Sequence, residues 1–141
     1  MRKLRGYFAT LVILLVTLVL GACQSVALTA SEPSPAEVIE ALEEAFNAQD
    51  IDAIMALYAE DAVWINSGGA WKGAHKIRLA YGLDLSEEGT IDNTNIRMEG
   101  DTVLYDCQLI DKSGETYKME KYEAVVENGK IKTNFLEKNL D

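Results

Sequence analysis

The first regular pattern in the chain is a helical spacing of apolar residues that begins after Pro35. Residues on one helix face recur every three to four positions, and five apolar residues follow that rule: Val38, Ile39, Leu42, Ala45 and Phe46. Ser34-Pro35-Ala36-Glu37 forms a capping box, with Ser34 as N-cap and Pro35 at the first helical position. The pattern predicts a helix from Pro35 to about Ala48.

Two further helices and a short strand are predicted in the next segment. Asp50 can cap a second helix, whose buried side carries Ile51, Ile54, Leu57 and Tyr58. Ala62 to Asn66 is predicted as a strand, and Ser67-Gly68-Gly69 as a turn. A third helix runs from Gly73 to about Leu83. Three of its residues are expected to point inward: Ile77, Ala80 and Tyr81.

After Gly89 the period of the pattern changes to two, which is typical of strands. Four strands are predicted: Ile91–Met98, Thr102–Ile110, Thr116–Val126 and Ile131–Leu140. Their connections are short, and Asn128-Gly129 is the favoured pair for a two-residue hairpin. Short loops make neighbouring strands antiparallel. The fold class is therefore α+β, with about three N-terminal helices packed on a curved, mainly antiparallel sheet.

The N-terminus has the organisation of a secretory signal. Three basic residues are followed by Tyr7–Leu20, an uncharged apolar run of about 14 residues, which is short for a membrane span. The run ends in Leu20-Gly21-Ala22-Cys23, which resembles the bacterial lipobox. We expect a signal peptide over residues 1–22, a lipidated (palmitate-type) Cys23, a flexible tether to Ser34 and a domain over 35–141. A plain signal peptide with a chance cysteine, or an uncleaved anchor, is the alternative.

The charge of the chain narrows the classes of partner. The formal net charge is −10, and removing the three basic and no acidic residues of positions 1–22 takes it to −13. Such a protein repels nucleic acid and anionic lipid, so no nucleic-acid partner is expected. A covalent lipid anchor would then hold the domain at the extracytoplasmic face of the cell membrane.

Two cysteines leave little room for metal or disulfide chemistry. If Cys23 is lipidated, the chain has no other cysteine that could form a disulfide with Cys107, which is predicted to be a small core residue. No metal-ligand spacing, phosphate loop or nucleophile motif is visible. We expect no metal and no cofactor.

Several segments, taken in order, resemble the nuclear transport factor 2-like superfamily, in particular its SnoaL-like bacterial branch. The segments are Phe46–Asp52, Leu57–Trp64, Trp71–Gly73 before Ile77-Arg78, and Glu127–Ile131. The resemblance covers Pro35 to the C-terminus. It implies a cone-shaped fold with a pocket between helices and sheet. Such folds host isomerases, dehydratases, epoxide hydrolases, polyketide cyclases and non-catalytic binders, so the fold alone does not give the function.

The catalytic sets that this resemblance implies are incomplete in the sequence. The position of the base in steroid-isomerase-like members holds Asn66, and that of the hydrogen-bonding Tyr holds Leu42. An amide cannot accept a proton from carbon. The two-His set of dehydratase-like members is reduced to His75. The epoxide-hydrolase-like members use an Asp-Arg-Asp set on late strands, and only Asp106 matches it here. Leu104 stands at the position of the Arg, and the second Asp would fall near Leu136.

Asp106 is the one candidate acid, on one condition. Strand alternation places Leu104, Asp106 and Gln108 on one face, and Val103, Tyr105 and Cys107 on the other. If the face of Asp106 points inward, burial raises its pKa and makes it a candidate acid. If that face meets solvent, the role disappears. The alternation alone leaves both open.

Aromatic and amide side chains supply the candidate ligand contacts. The ligand-binding candidates are Tyr58, Trp64, Asn66, Tyr81, Tyr122 and Phe135, and Asn134 is a further polar residue suited to a pocket. Three functions remain open: a non-catalytic binder of a small apolar or amphipathic ligand or a protein partner, an acid/base isomerase or cyclase, and a homodimeric interaction module. The first is the leading hypothesis.

Overall fold

The computed structural model describes residues 31–87 and 89–137. The predicted signal peptide, Cys23 and most of the tether lie outside the described residues. The helices are α1 (Pro35–Asn47), α2 (Ile51–Leu57) and α3 (Ala74–Glu87). The strands are β1 (Tyr58–Asn66), β2 (Gly69–Lys72), β3 (Thr90–Glu99), β4 (Thr102–Ile110), β5 (Thr116–Glu127) and β6 (Lys130–Leu136).

Both predicted helix caps are present. In α1 the backbone N–H of Glu37 donates to Ser34 Oγ at 3.3 Å, and the backbone N–H of Ser34 donates to Glu37 Oε2 at 2.7 Å. In α2 one carboxylate oxygen of Asp50 accepts from two backbone N–H groups, at 3.1 and 2.9 Å. Each cap satisfies donors that have no partner inside the helix. The helices therefore begin where the sequence predicts.

The six strands form one mixed, mostly antiparallel curved sheet in the order β2-β1-β6-β5-β4-β3. Only β1 and β6 run parallel among the described strand pairs. The β5–β6 turn has positive φ at both Asn128 (50°) and Gly129 (67°), as the predicted two-residue hairpin requires. Register shifts interrupt several of the pairings, and such bulges bend a sheet. Three helices pack on this sheet, which confirms the predicted fold class.

The segment around β1 and β2 differs from the sequence prediction. β1 begins at Tyr58, which was placed on the second helix, because apolar residues there continue the helical spacing across the end of α2. β2 was not predicted at all. It pairs with β1 from Asn66↔Gly69 to Val63↔Lys72, so Ser67-Gly68 is the turn of a hairpin. α3 also continues past the predicted end, to Glu87.

The core lies between the helices and one face of the sheet. Val103, Tyr105 and Cys107 of β4 are buried there, whereas Leu104 and Asp106 point to the opposite face. The inward residues of α3 are buried as predicted. No helix within the described ranges combines the length and apolar character needed to cross a membrane.

Candidate functional site

A cavity of about 390 Å³ lies between the helices and the inner face of the sheet. Ser67, Lys118 and Leu83 line it and are exposed, so they mark its opening. Other lining residues come from every layer of the fold: Leu42 and Phe46 of α1, Trp64 and Asn66 of β1, Trp71 of β2, Ala80, Tyr81 and Asp84 of α3, Ile91 and Asn93 of β3, Tyr105, Cys107 and Leu109 of β4, Glu120 and Tyr122 of β5, and Asn134 of β6. A cavity of this volume is within the range of small-molecule sites.

Two stacked aromatic pairs form the walls. Trp64 and Tyr81 stack with ring centroids 4.2 Å apart and an interplanar angle of 9°. Tyr105 and Tyr122 stack at 5.5 Å and 16°. Phe46 meets Tyr81 edge-on at 6.3 Å. These contacts hold the rings in fixed orientations, so the walls are preformed rather than assembled on binding.

A chain of buried hydrogen bonds supports the tyrosines. Tyr105 donates its hydroxyl to Asn134 Oδ1 at 2.9 Å, and Asn134 Nδ2 donates to the Tyr58 hydroxyl at 3.2 Å. The hydroxyls of Tyr58 and Tyr81 are 2.9 Å apart. Burial raises the pKa of Tyr58 to about 12 and those of Tyr81 and Tyr105 well above their usual value. All three therefore remain neutral hydrogen-bonding groups at physiological pH.

Glu120 places a carboxylate inside the cavity, with only 7% of the residue exposed. Tyr122 donates its hydroxyl to Glu120 Oε2 at 2.6 Å, and Lys118 Nζ lies 2.6 Å from Oε1. The same ammonium donates to Ser67 Oγ at 2.8 Å. Burial alone would raise the pKa of Glu120, but the contacts with Lys118 and Tyr122 outweigh it and hold that pKa below its usual value. Glu120 is therefore ionised at neutral pH.

Three buried polar atoms of the cavity residues receive no aligned hydrogen bond from any described residue. They are Trp64 Nε1, Asn93 Oδ1 and Glu120 Oε1. Glu120 Oε1 nevertheless has a charged partner, because the Lys118 ammonium lies 2.6 Å from it. Trp64 Nε1 and Asn93 Oδ1 have no such partner among the described residues, and buried polar groups without partners are costly.

Four of the six predicted ligand-binding residues line the cavity: Trp64, Asn66, Tyr81 and Tyr122. Tyr58 lies behind them, where it supports Tyr81. Asn66 also has a structural role, since its Oδ1 accepts from Trp71 Nε1 at 3.1 Å and from the backbone of Gly68 at 2.9 Å. Phe135 is not among the lining residues. It pairs across the sheet with Glu123 on the outer face, because alternation turns it away from its neighbour Asn134.

The candidate acid Asp106 lies on the wrong face for catalysis in this cavity. Its strand presents Tyr105 and Cys107 inward, so Asp106 points outward. There its Oδ2 accepts a hydrogen bond from Asn95 Nδ2 at 2.7 Å in an exposed setting. The acid role required the face of Asp106 to point inward, and this requirement is not met.

The sequence prediction missed Glu120 and Lys118. Both lie in a stretch of alternating charged and apolar residues that is typical of a solvated strand. One signal was present, however. Tyr122 was assigned to the pocket, and residues two apart on a strand share a face, so Glu120 and Lys118 follow from Tyr122. No group of three or more His, Cys, Asp and Glu residues within 31–87 and 89–137 is placed to hold a metal ion.

Comparison with known proteins gives one family and many similar folds. A family model for the SnoaL-like domain matches residues 39–133. Among solved structures, a candidate polyketide cyclase from Sinorhizobium meliloti is 17% identical with a TM-score of 0.64, over 72% of this chain and 94% of that chain. An NTF2-like protein of unknown function from Cytophaga hutchinsonii is 14% identical with a TM-score of 0.61, over 77% and 92%.

A third similar structure holds a bound small molecule. It is a protein from Catenulispora acidiphila with a ketosteroid isomerase-like fold, in complex with trimethylamine. It is 17% identical with a TM-score of 0.61, over 77% of this chain and 88% of that chain. Identities this low establish a common fold alone. A search of curated protein sequences finds no match.

Proposed function

Because this chain belongs to the SnoaL-like domain family, we propose that its cavity binds a small amphipathic molecule without converting it. One observation carries the proposal: a cavity of about 390 Å³ has aromatic walls, and three of its lining residues carry a buried polar atom without a hydrogen bond from the described residues. Protein interiors are close-packed, and their polar groups are paired. A cavity that departs from both rules is best explained by a ligand with a ring-like body and a few polar groups.

A non-catalytic role fits the state of the cavity carboxylate. A general base that works near neutral pH needs a pKa close to that pH. Glu120 is instead ionised, with a lowered pKa, and both its oxygens contact Lys118 or Tyr122. Asp106, the other acid considered, points away from the cavity. The arrangement supports recognition of a ligand better than transfer of a proton.

An acid/base isomerase or cyclase is the second candidate, and the Tyr122–Glu120 contact of 2.6 Å is what favours it. A substrate that displaced Lys118 would leave Glu120 as a base and Tyr122 as a neutral donor. Glu120→Gln separates the two functions. An enzyme would lose turnover while still binding its substrate, and Glu123→Gln on the outer face is the matched control.

Cavity-filling variants test the binding proposal. The probes are two ring compounds of the same shape, para-tert-butylphenol and (para-hydroxyphenyl)trimethylammonium, and calorimetry measures their affinity. Ala80 is 2% exposed and lines the cavity, so Ala80→Phe fills it. Leu79→Phe, at a neighbouring position that is 58% exposed, is the control. We expect binding by wild type and Leu79→Phe but not by Ala80→Phe. Equal affinity in both variants, or no binding of either probe to wild type, would contradict the proposal.

We also propose that the domain is a lipoprotein, anchored through Cys23 at the extracytoplasmic face of a cell membrane. The basic start, the apolar run and Leu20-Gly21-Ala22-Cys23 support this assignment. Cys23→Ser should abolish incorporation of labelled palmitate and release the protein from the membrane fraction. Cys107→Ser, which changes the other cysteine of the chain, should do neither. Self-association through the outer sheet face stays a prediction.

A further inference from the structure

We propose that the ligand of this cavity is an organic cation, whose ammonium group pairs with Glu120 in the place that the Lys118 ammonium occupies. The inference rests on the proposed function, because it names the chemical class of the ligand for the same cavity. Three features support it: the depth of each charge, the exposure of the lysine and the chemistry of the walls.

The charges of the cavity are arranged by depth. Glu120 is 7% exposed, whereas the side chain of Lys118 is 42% exposed and lies at the opening. The half-buried Asp84 is the third charged lining residue, and no Arg or His lines the cavity among the described residues. A molecule that enters fully therefore meets a negative charge. Burial of that charge requires a partner of opposite sign.

Lys118 is a partner that a ligand can replace. Its side chain is long and flexible, and it reaches across the opening from β5 to Ser67 in the β1–β2 turn. Its contact with Glu120 Oε1 is an ion pair in which the lysine side chain is 42% exposed. A bound ammonium would exchange one ion pair for another. The released lysine would regain water at the surface and the rotamer freedom that it loses in the pair.

The walls suit a cation better than an anion. Trp64, Trp71, Tyr81, Tyr105 and Tyr122 line the cavity, and the faces of such rings attract positive charge, that of Trp most strongly. The formal charge of −10 also raises the local concentration of cations at the protein. An anion could pair only with Lys118, and it would then lie next to the Glu120 carboxylate. Like charges at that distance repel.

Calorimetry with three related compounds tests the sign of the charge. (para-Hydroxyphenyl)trimethylammonium and para-tert-butylphenol have the same shape and differ in one positive charge, and para-hydroxyphenylacetate supplies a negative charge. We expect wild type to bind the cation at least about tenfold more tightly than the neutral compound, which is the gain of a partly desolvated cation–aromatic contact. The anion should bind most weakly.

Two variants locate the effect at Glu120 and Lys118, and each has a control with the same change in net charge. Glu120→Gln should weaken the cation by about tenfold and change the neutral compound by less than about twofold. Lys118→Met should strengthen the cation, because its competitor is gone. Glu123→Gln and Lys121→Met remove the same charges from the outer face and should change neither affinity beyond about twofold. Thermal unfolding checks that each variant is folded.

The outcomes separate this inference from the proposed function. If the neutral compound binds as tightly as the cation and Glu120→Gln changes neither, the ligand is not a cation but the cavity still binds small molecules. If the anion binds more tightly than the cation, the inference is also overturned, and Lys118 is then the charged residue that pairs with the ligand. If neither the cation nor the neutral compound binds wild type, both proposals fail.

Discussion

Replacing Asn134 tests whether the hydrogen-bonded chain behind the cavity is a single unit. Asn134 is 1% exposed and joins the hydroxyls of Tyr105 and Tyr58. Asn134→Leu keeps the branched shape of the side chain but removes both bonds. Tyr105 is 3% exposed and is left without its bond to Asn134, at a cost of about 1–3 kcal/mol. Tyr58 keeps its contact with Tyr81 but loses a bond worth about 0.5–1.5 kcal/mol.

The expected destabilisation is therefore about 1.5–4.5 kcal/mol. For a domain of this size that lowers the melting temperature by roughly 10 °C. Urea unfolding, followed by far-ultraviolet circular dichroism and tryptophan fluorescence, measures it directly. Thr133→Val, at the adjacent position of β6, is the control and should stay within about 0.5 kcal/mol of wild type.

The double variant Asn134→Leu/Tyr105→Phe gives the sharper test. Tyr105→Phe alone leaves Asn134 Oδ1 without its donor, but in the double variant both partners of that bond are gone. Removing both partners costs less than removing each in turn, so the two changes should couple by about 1–3 kcal/mol. Costs that add within about 0.5 kcal/mol would refute the reasoning, because independent sites behave in that way.

Two further predictions concern backbone strain and pH. Gly129→Ala should destabilise the protein by about 1–2 kcal/mol, because φ is 67° at that residue. Gly82→Ala in α3 should stabilise it by up to about 1 kcal/mol, because nothing lies within 4 Å of the added Cβ. Equal effects of the two substitutions in urea unfolding would contradict this prediction. Because folding lowers the pKa of Glu120, its ionised carboxylate stabilises the fold at pH values above its unfolded pKa near 4.5. This stabilisation is lost as the pH falls through the folded pKa. The difference in free energy of unfolding between wild type and Glu120→Gln should shrink below about pH 4.5. A difference that grows as the pH falls would contradict this prediction.

Local signals predicted much of the fold. The capping box at Ser34 and the N-cap at Asp50 fix the starts of α1 and α2 through bonds within a few residues. The Asn-Gly pair fixes the β5–β6 hairpin, since both residues take positive φ. Thr102–Ile110 has the same bounds in the prediction and in the structure. These features depend on neighbours in the chain, which a single sequence contains.

Pairing between distant segments could not be predicted. β1 pairs in parallel with β6, from Tyr58↔Ile131 to Ile65↔Phe135, and nothing near Tyr58 specifies that partner. The edge strand β2 has only four residues, two of them Gly69 and Ala70, and so shows no alternation. Tertiary pairing rather than local preference makes these segments strands.

The candidate site also has a part that the sequence predicts and a part that only the structure gives. Aromatic residues such as Trp64 and Tyr81 were predicted because large rings favour buried positions. Whether Asp106 or a carboxylate on the other face lines the cavity depends on which sheet face the helices cover, and alternation gives two equivalent answers until that face is known. The structure supplies it: Glu120, and not Asp106, lies on the covered face and lines the cavity.

Native mass spectrometry of the protein purified from its host tests the central claim most directly, since it asks whether the cavity retains a small molecule. The account predicts an added mass on wild type and on Leu79→Phe, and its absence from Ala80→Phe, whose ring fills the space that the ligand needs. Two results would contradict a ligand-binding cavity: wild type without an added mass, or Ala80→Phe with the same added mass as wild type.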